Sequence, residues 1–163
     1  MPPRNESPRP AGHRSLFHSF RDAFKGVWRC LQSERNMRIH AAACGYVLFF
    51  AAKSGVHGGE LACLLLAMGA VTAAEAMNTS VEKLCDFVEN KRDPRIAAVK
   101  DMAAGAVVLS ALFAALAGGA VLLRPELWAA VLDIAGTPWK LGAFGASALA
   151  CALLIFAAPL KRE

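Results

Sequence analysis

The chain has 163 residues, a formal net charge of +5 and 56% hydrophobic side chains, more apolar than a soluble domain usually is, so the first class it enters is that of membrane proteins. Fifteen of its 18 lysines and arginines fall in three segments expected on one side of a bilayer. The positive excess therefore reads as a topological signal and an attraction to anionic lipid, not as a nucleic-acid footprint.

In chain order, residues 1–14 are polar and proline-rich and lack the apolar centre of a secretory signal. They are expected to form a disordered cytoplasmic tail. Residues 16–35 place Phe17, Phe20, Phe24, Val27 and Trp28 at helical spacing, with Arg21, Lys25 and Arg29 elsewhere on the wheel. That pattern predicts an amphipathic helix lying in the membrane interface. Spans are then expected at about 37–55, 61–82 and 100–123, with a fourth at 141–160. Residues 102–123 and 141–160 contain no charge over 22 and 20 positions, long enough to cross a bilayer.

The second span runs on as NTSVEKLCDFVENK until Asp93-Pro94 breaks it, and Pro94 is placed to begin the next helix. GVHGG at 55–59 reads as a turn. Residues 124–140 are too short to span and carry Trp128 and Trp139, which suits the far interface. Eight basic residues precede the first span, five lie in the 83–100 link and two in the tail. The positive-inside rule puts both termini and the link in the cytoplasm. The expected fold is an all-α integral membrane protein: an N-terminal interfacial helix, three core transmembrane helices and a fourth C-terminal one. The five cysteines show no C-x-x-C and the four histidines no ligand spacing. A disulfide framework or zinc site is not expected, and the cysteines read as small packing groups.

One stretch does not fit a purely lipid-facing helix. AEAMNTSVEKLCD, residues 74–86, follows the apolar LACLLLAMGAVTA. On a helical wheel Glu82 and Asp86 fall about 20° to either side of Glu75, with Asn78 about 60° away. The four make one polar stripe, with Glu75 roughly 9 Å inside the cytoplasmic end of its span. An intramembrane carboxylate is costly and must face protein, water or substrate. Here it is placed to act as a general base towards an alcohol. Glu82 and Glu34, at the junction of interfacial helix and first span, together offer carboxylate oxygens to a magnesium ion, which needs only one or two beside waters and phosphates. Lys100 is a natural phosphate partner, and Asp86 or Asp101 a natural acceptor for a sugar or base. The same spacing also fits interhelical hydrogen bonding by Glu75 and Asn78 with a snorkelling Lys100. P-loop and protein-kinase motifs are absent.

AFKG (23–26), ERNMRIH (34–40), EAMNTSVEKLCD (75–86) and KDMAAGAV (100–107), in that order, resemble the prokaryotic diacylglycerol kinase family, which includes the undecaprenol kinases. The likeness covers about residues 15–123, leaving 124–163 as an extension. It implies a lipid kinase of the bacterial inner membrane, a homotrimer with active sites between subunits at the cytoplasmic surface, using ATP and Mg2+. It also implies roles: Glu75 as catalytic base, Glu34 and Glu82 as magnesium ligands, and Asn78, Asp86, Lys100 and Asp101 at the nucleotide. ERNMRIH and NTSVEKL look more like the undecaprenol-kinase branch than the diacylglycerol branch. Two features depart from the pattern: KRDPR at 91–95 stands where a histidine is expected, and the family's usual chain ends after three spans. The rival classes are a small transporter or proton relay working without ATP, and a catalytically silent assembly subunit.

Overall fold

The computed structural model describes residues 16–88 and 93–157. The expected N-terminal tail, the centre of the link (89–92) and the last residues of the fourth expected span lie outside the described residues. The elements are α1 (Leu16–Ser33), α2 (Arg35–Lys53), α3 (Gly58–Val88), α4 (Pro94–Leu122), α5 (Pro125–Gly136) and α6 (Pro138–Phe156). No strand occurs among the described residues, so the all-α expectation holds.

Proline opens α4, α5 and α6, where its fixed φ is already helical and its missing N–H would have had no partner. The α2–α3 turn is closed by Ser54 N–H to Phe50 O (2.8 Å) and Val56 N–H to Ala51 O (2.9 Å). Gly55 and Gly58 adopt φ of +69° and +57° there, a left-handed backbone that other residues enter only with strain. The GVHGG stretch is thus the turn that its composition predicts. Between α4 and α6, α5 is a 12-residue helix, too short to cross a bilayer.

Three helices, α3, α4 and α6, are long and apolar enough to cross a membrane. At 31 residues, α3 measures about 46 Å. α2 has 19 residues, but Arg35, Arg38 and His40 crowd its first turns and lower its apolarity. Its position compensates, because α2 packs against each of the other five helices. Burial concentrates at its far end, where Ala51, Val56 and Leu64 form a small core flanked by Val47, Leu61 and Met68. α3 and α4 form the most extensive helix pair, closed at the same end by Arg124 Nη2 to Glu60 Oε1 at 2.7 Å. α6 lies on α2 through Tyr46, whose hydroxyl is 3.0 Å from Ser147 Oγ and whose ring meets Phe144 edge-on. Leucines and phenylalanines on the outward faces of α3, α4 and α6 stay exposed. An apolar exterior of this kind matches a hydrocarbon solvent.

The start of α4 has an electrostatic cap. The Asp93 carboxylate accepts the Arg95 backbone N–H at 2.7 Å and pairs with its guanidinium at 2.9 Å. The Arg95 side-chain bond, then the backbone one, hold the Asp93 carboxyl below its ordinary value. A depressed folded-state value stabilises the helix start above the unfolded pKa and loses that contribution as pH falls through the folded one. Amide exchange at residues 95–98 should therefore accelerate selectively below about pH 3.9, and Asp93→Asn should weaken this acid dependence.

Candidate active site

The stripe on α3 turns inward. Glu75 is only 2% exposed, and Asn78 and Thr79 beside it are buried, while Glu82 is half-buried and Asp86 exposed. The 3.6-residue period that aligns them on one face points that face at α2 and α4. From α2, the Asn36 side chain hydrogen-bonds with Glu75, and His40 lies close enough to act on it electrostatically. One turn further along α3, Asn78 Nδ2 donates to Glu82 Oε1 at 3.0 Å, fixing one carboxylate oxygen.

Glu34 is the single extended residue between α1 and α2, with φ −116° and ψ 124°. It occupies the N-cap position of α2, yet its side chain makes no capping hydrogen bond. Serine, threonine, asparagine or aspartate usually fill such a position because they do cap. The Glu34 carboxylate is left uncommitted, within electrostatic reach of Glu75 together with Glu82. Lys83 Nζ donates to Ser33 Oγ at 3.3 Å, drawing the α1–α2 elbow onto α3. Three carboxylates thus converge at one end of the bundle.

No cluster of three or more potential ligands with metal-cage geometry forms among the described residues. A magnesium ion that brings its own waters and phosphates does not require one. Glu34, with no side-chain partner at its cap, and Glu82, with one oxygen held by Asn78, fit that smaller demand, and a cation there would relieve carboxylate repulsion.

The nucleotide candidates divide. Lys100, at the start of α4, pairs with Asp86 on α3 at 2.5 Å, on the same side of the bundle as Glu82, which it senses electrostatically. Asp101 is exposed and is not drawn into that pair. An apolar cleft of about 430 Å3 runs between α2, α3 and α4. His40 and Val71 line it at the Glu75 end, Ala115, Gly118 and Leu122 along α4, and Leu127 of α5 at the far end. Asn36 and His40 were not singled out from the sequence. Their i, i+4 spacing within ERNMRIH puts them on one helical face, but nothing in that spacing says which helix the face meets.

The family model for prokaryotic diacylglycerol kinase matches residues 21–122. The chain belongs to the prokaryotic diacylglycerol kinase family. Among the similar members of this family, undecaprenol kinase of Bacillus subtilis is 34% identical over 112 residues, 69% of this chain and 90% of that protein. Diacylglycerol kinase of Synechocystis sp. is 35% identical over 114 residues, 69% of this chain and 65% of that protein. No solved structure matches the chain. Membership in this lipid kinase family, with the three apolar helices, indicates a multi-pass membrane enzyme. The kinase match ends at Leu122, the last residue of α4, so α5 and α6 lie beyond it.

Thr79 Oγ1 and Asn78 Oδ1 are buried with no hydrogen-bond partner among the described residues. An unpaired buried hydroxyl costs free energy that an apolar isostere does not. Thr79→Val should leave thermal stability in detergent unchanged or raise it by up to about 1 kcal/mol. A clear fall would show that the hydroxyl is paired in the assembled enzyme.

Proposed function

We propose that this protein transfers the γ-phosphoryl group of ATP to the hydroxyl of a membrane lipid, an undecaprenol or a diacylglycerol, with Mg2+ as cofactor. The observation that supports this best is Glu75: a carboxylate 2% exposed within a helix able to span a membrane, one turn along α3 from Val71 of the apolar cleft and within electrostatic reach of two further glutamates. A lipid chain lying in the cleft would bring its hydroxyl towards the end of the bundle where Glu75, Glu34 and Glu82 gather.

In this reading Glu75 takes the hydroxyl proton as the lipid oxygen attacks the γ-phosphorus and the bond to the ADP oxygen breaks. Asn36 orients the Glu75 carboxylate, and Asn78 holds Glu82. Glu34 and Glu82 would hold the magnesium ion, which when bound neutralises charge on the ATP phosphates. Lys100 exchanges Asp86 for phosphate, an easy exchange because the pair is exposed to solvent. Asp86, thereby released, and Asp101 accept from the nucleotide's sugar or base. Catalysis by positioning and electrostatics is what phosphoryl transfer requires. The site faces the cytoplasm of a bacterial inner membrane, where the basic residues lie, and the working assembly is a homotrimer with sites between subunits.

The test is magnesium-dependent transfer of labelled γ-phosphate by purified protein, with undecaprenol and diacylglycerol offered side by side. Glu75→Gln should lower transfer by more than about 100-fold while ATP binding survives, as expected on loss of a general base. The acceptor with the higher kcat/KM identifies the lipid. Transfer to neither lipid by folded, ATP-binding protein would reject both acceptors, and flux without any ATP requirement would favour a transporter.

A further inference from the structure

α6 lies outside the segment that matches the kinase family, yet it reaches the candidate site. The link is Arg38. Its Nε donates to Leu31 O at 2.8 Å and its Nη2 to Gln32 O at 2.7 Å, carbonyls in the last turn of α1, which ends at Ser33. Its Nη1 donates to Leu154 O at 2.9 Å, in the last turn of α6, which ends at Phe156. The last four carbonyls of a helix have no partner within it, and a cation is favourable at that negative end. One planar guanidinium thus closes two helix C-termini at once, which the point charge of a lysine cannot reproduce. Beside it, the Arg35 guanidinium lies 5.7 Å from the centre of the Phe156 ring.

Glu34 sits inside this clamp. It is two residues after Gln32 and directly before Arg35, and its own N–H is tied to Cys30 O at 2.9 Å. Its carboxylate makes no capping bond to α2, so its direction is set by the backbone that carries it. That backbone is held from three sides: Arg38 within the elbow, Lys83 of α3 through Ser33, and the end of α6.

We propose that Arg38 and the last turn of α6 are positioning elements for the metal-nucleotide site: α6 braces the α1–α2 elbow and holds Glu34 in line with Glu75 and Glu82. This rests on the reading of Glu34 as a magnesium ligand. Loosening the brace leaves every ligand present but lets one of them wander, which weakens metal binding without removing the base. Supporting groups around metal ligands characteristically act in this way.

The experiment measures Mn2+ binding by electron paramagnetic resonance, with a non-hydrolysable ATP analogue, on the full-length protein in detergent. Two variants test the brace. Arg38→Lys keeps the charge and loses the fork. Ile155→Pro disfavours helical backbone at Leu154 and breaks the last turn of α6, turning the Leu154 carbonyl away from Arg38. The substitution lies beyond Ser147 and Cys151, the α6 residues that hydrogen-bond with Tyr46, so that contact between α6 and α2 is left in place. Both variants should bind Mn2+ about tenfold more weakly, with a raised KM for the metal-nucleotide and kcat at saturating metal retained. Glu34→Gln is the control. If it weakens Mn2+ binding while both brace variants bind like the parent protein, the brace is overturned and the ligand assignment stands. If Glu34→Gln itself binds like the parent protein, both fall. Should Arg38→Lys not fold, Ile155→Pro decides alone: weakened binding upholds the brace and unchanged binding overturns it.

Discussion

A carboxylate inside a lipid-dwelling helix is the constraint around which the rest of this molecule is arranged. Hydrocarbon offers no hydrogen bonds and little dielectric relief, so Glu75 persists only because other helices enclose it. α2 supplies that enclosure with Asn36 and His40, and α2 is also the helix that touches every other element. The same residues explain its mixed character. Its first turns are too polar for a simple anchor because they face the reaction site. Its last turns, with Val47 and Ala51, build the small apolar core at the opposite end.

Much of the fold was legible because a bilayer leaves few choices. Long uncharged runs must be helices, since every backbone group has to be satisfied within its own segment, and Pro94, Gly55 and Gly58 punctuate them where the structure breaks. The helical nature of residues 125–136 was less visible, because a short stretch carrying Trp128 and followed by Trp139 fits several interfacial conformations. The first expected span was the weakest, because its apolar run, residues 39–52, is short, and α2 is not among the helices long and apolar enough to cross a membrane.

The site was legible in its chemistry and less so in its geometry. The wheel alone aligned Glu75, Asn78 and Glu82, and the structure turns that line inward with Asn78 bonded to Glu82. Two things needed three dimensions. Asn36 and His40 became neighbours of Glu75 only through the packing of α2 on α3. Arg38 looked like one more positive charge at a membrane boundary, whereas it reaches a carbonyl 116 residues away in sequence. Long-range contacts of this kind leave no periodic trace. Glu34 shows the opposite case: its place at the junction of interfacial helix and first span was readable in the sequence, and the structure adds that it stands at the N-cap of α2 without capping it.

The length of α3 has a further consequence. At about 46 Å it exceeds a typical hydrocarbon core by roughly 16 Å, because it continues past its apolar part as the polar NTSVEKLCDFV, and Glu75 is fixed along it. When the thickness of the bilayer differs from that of the apolar stretch, the helix tilts or the bilayer adjusts around it. Each such adjustment changes the height of Glu75 relative to the headgroups while its distance to Glu82 along the helix stays constant. Hydrophobic mismatch therefore acts on this protein as a vertical offset between base and lipid hydroxyl, and bilayer thickness becomes a variable of the chemistry as well as of the anchoring.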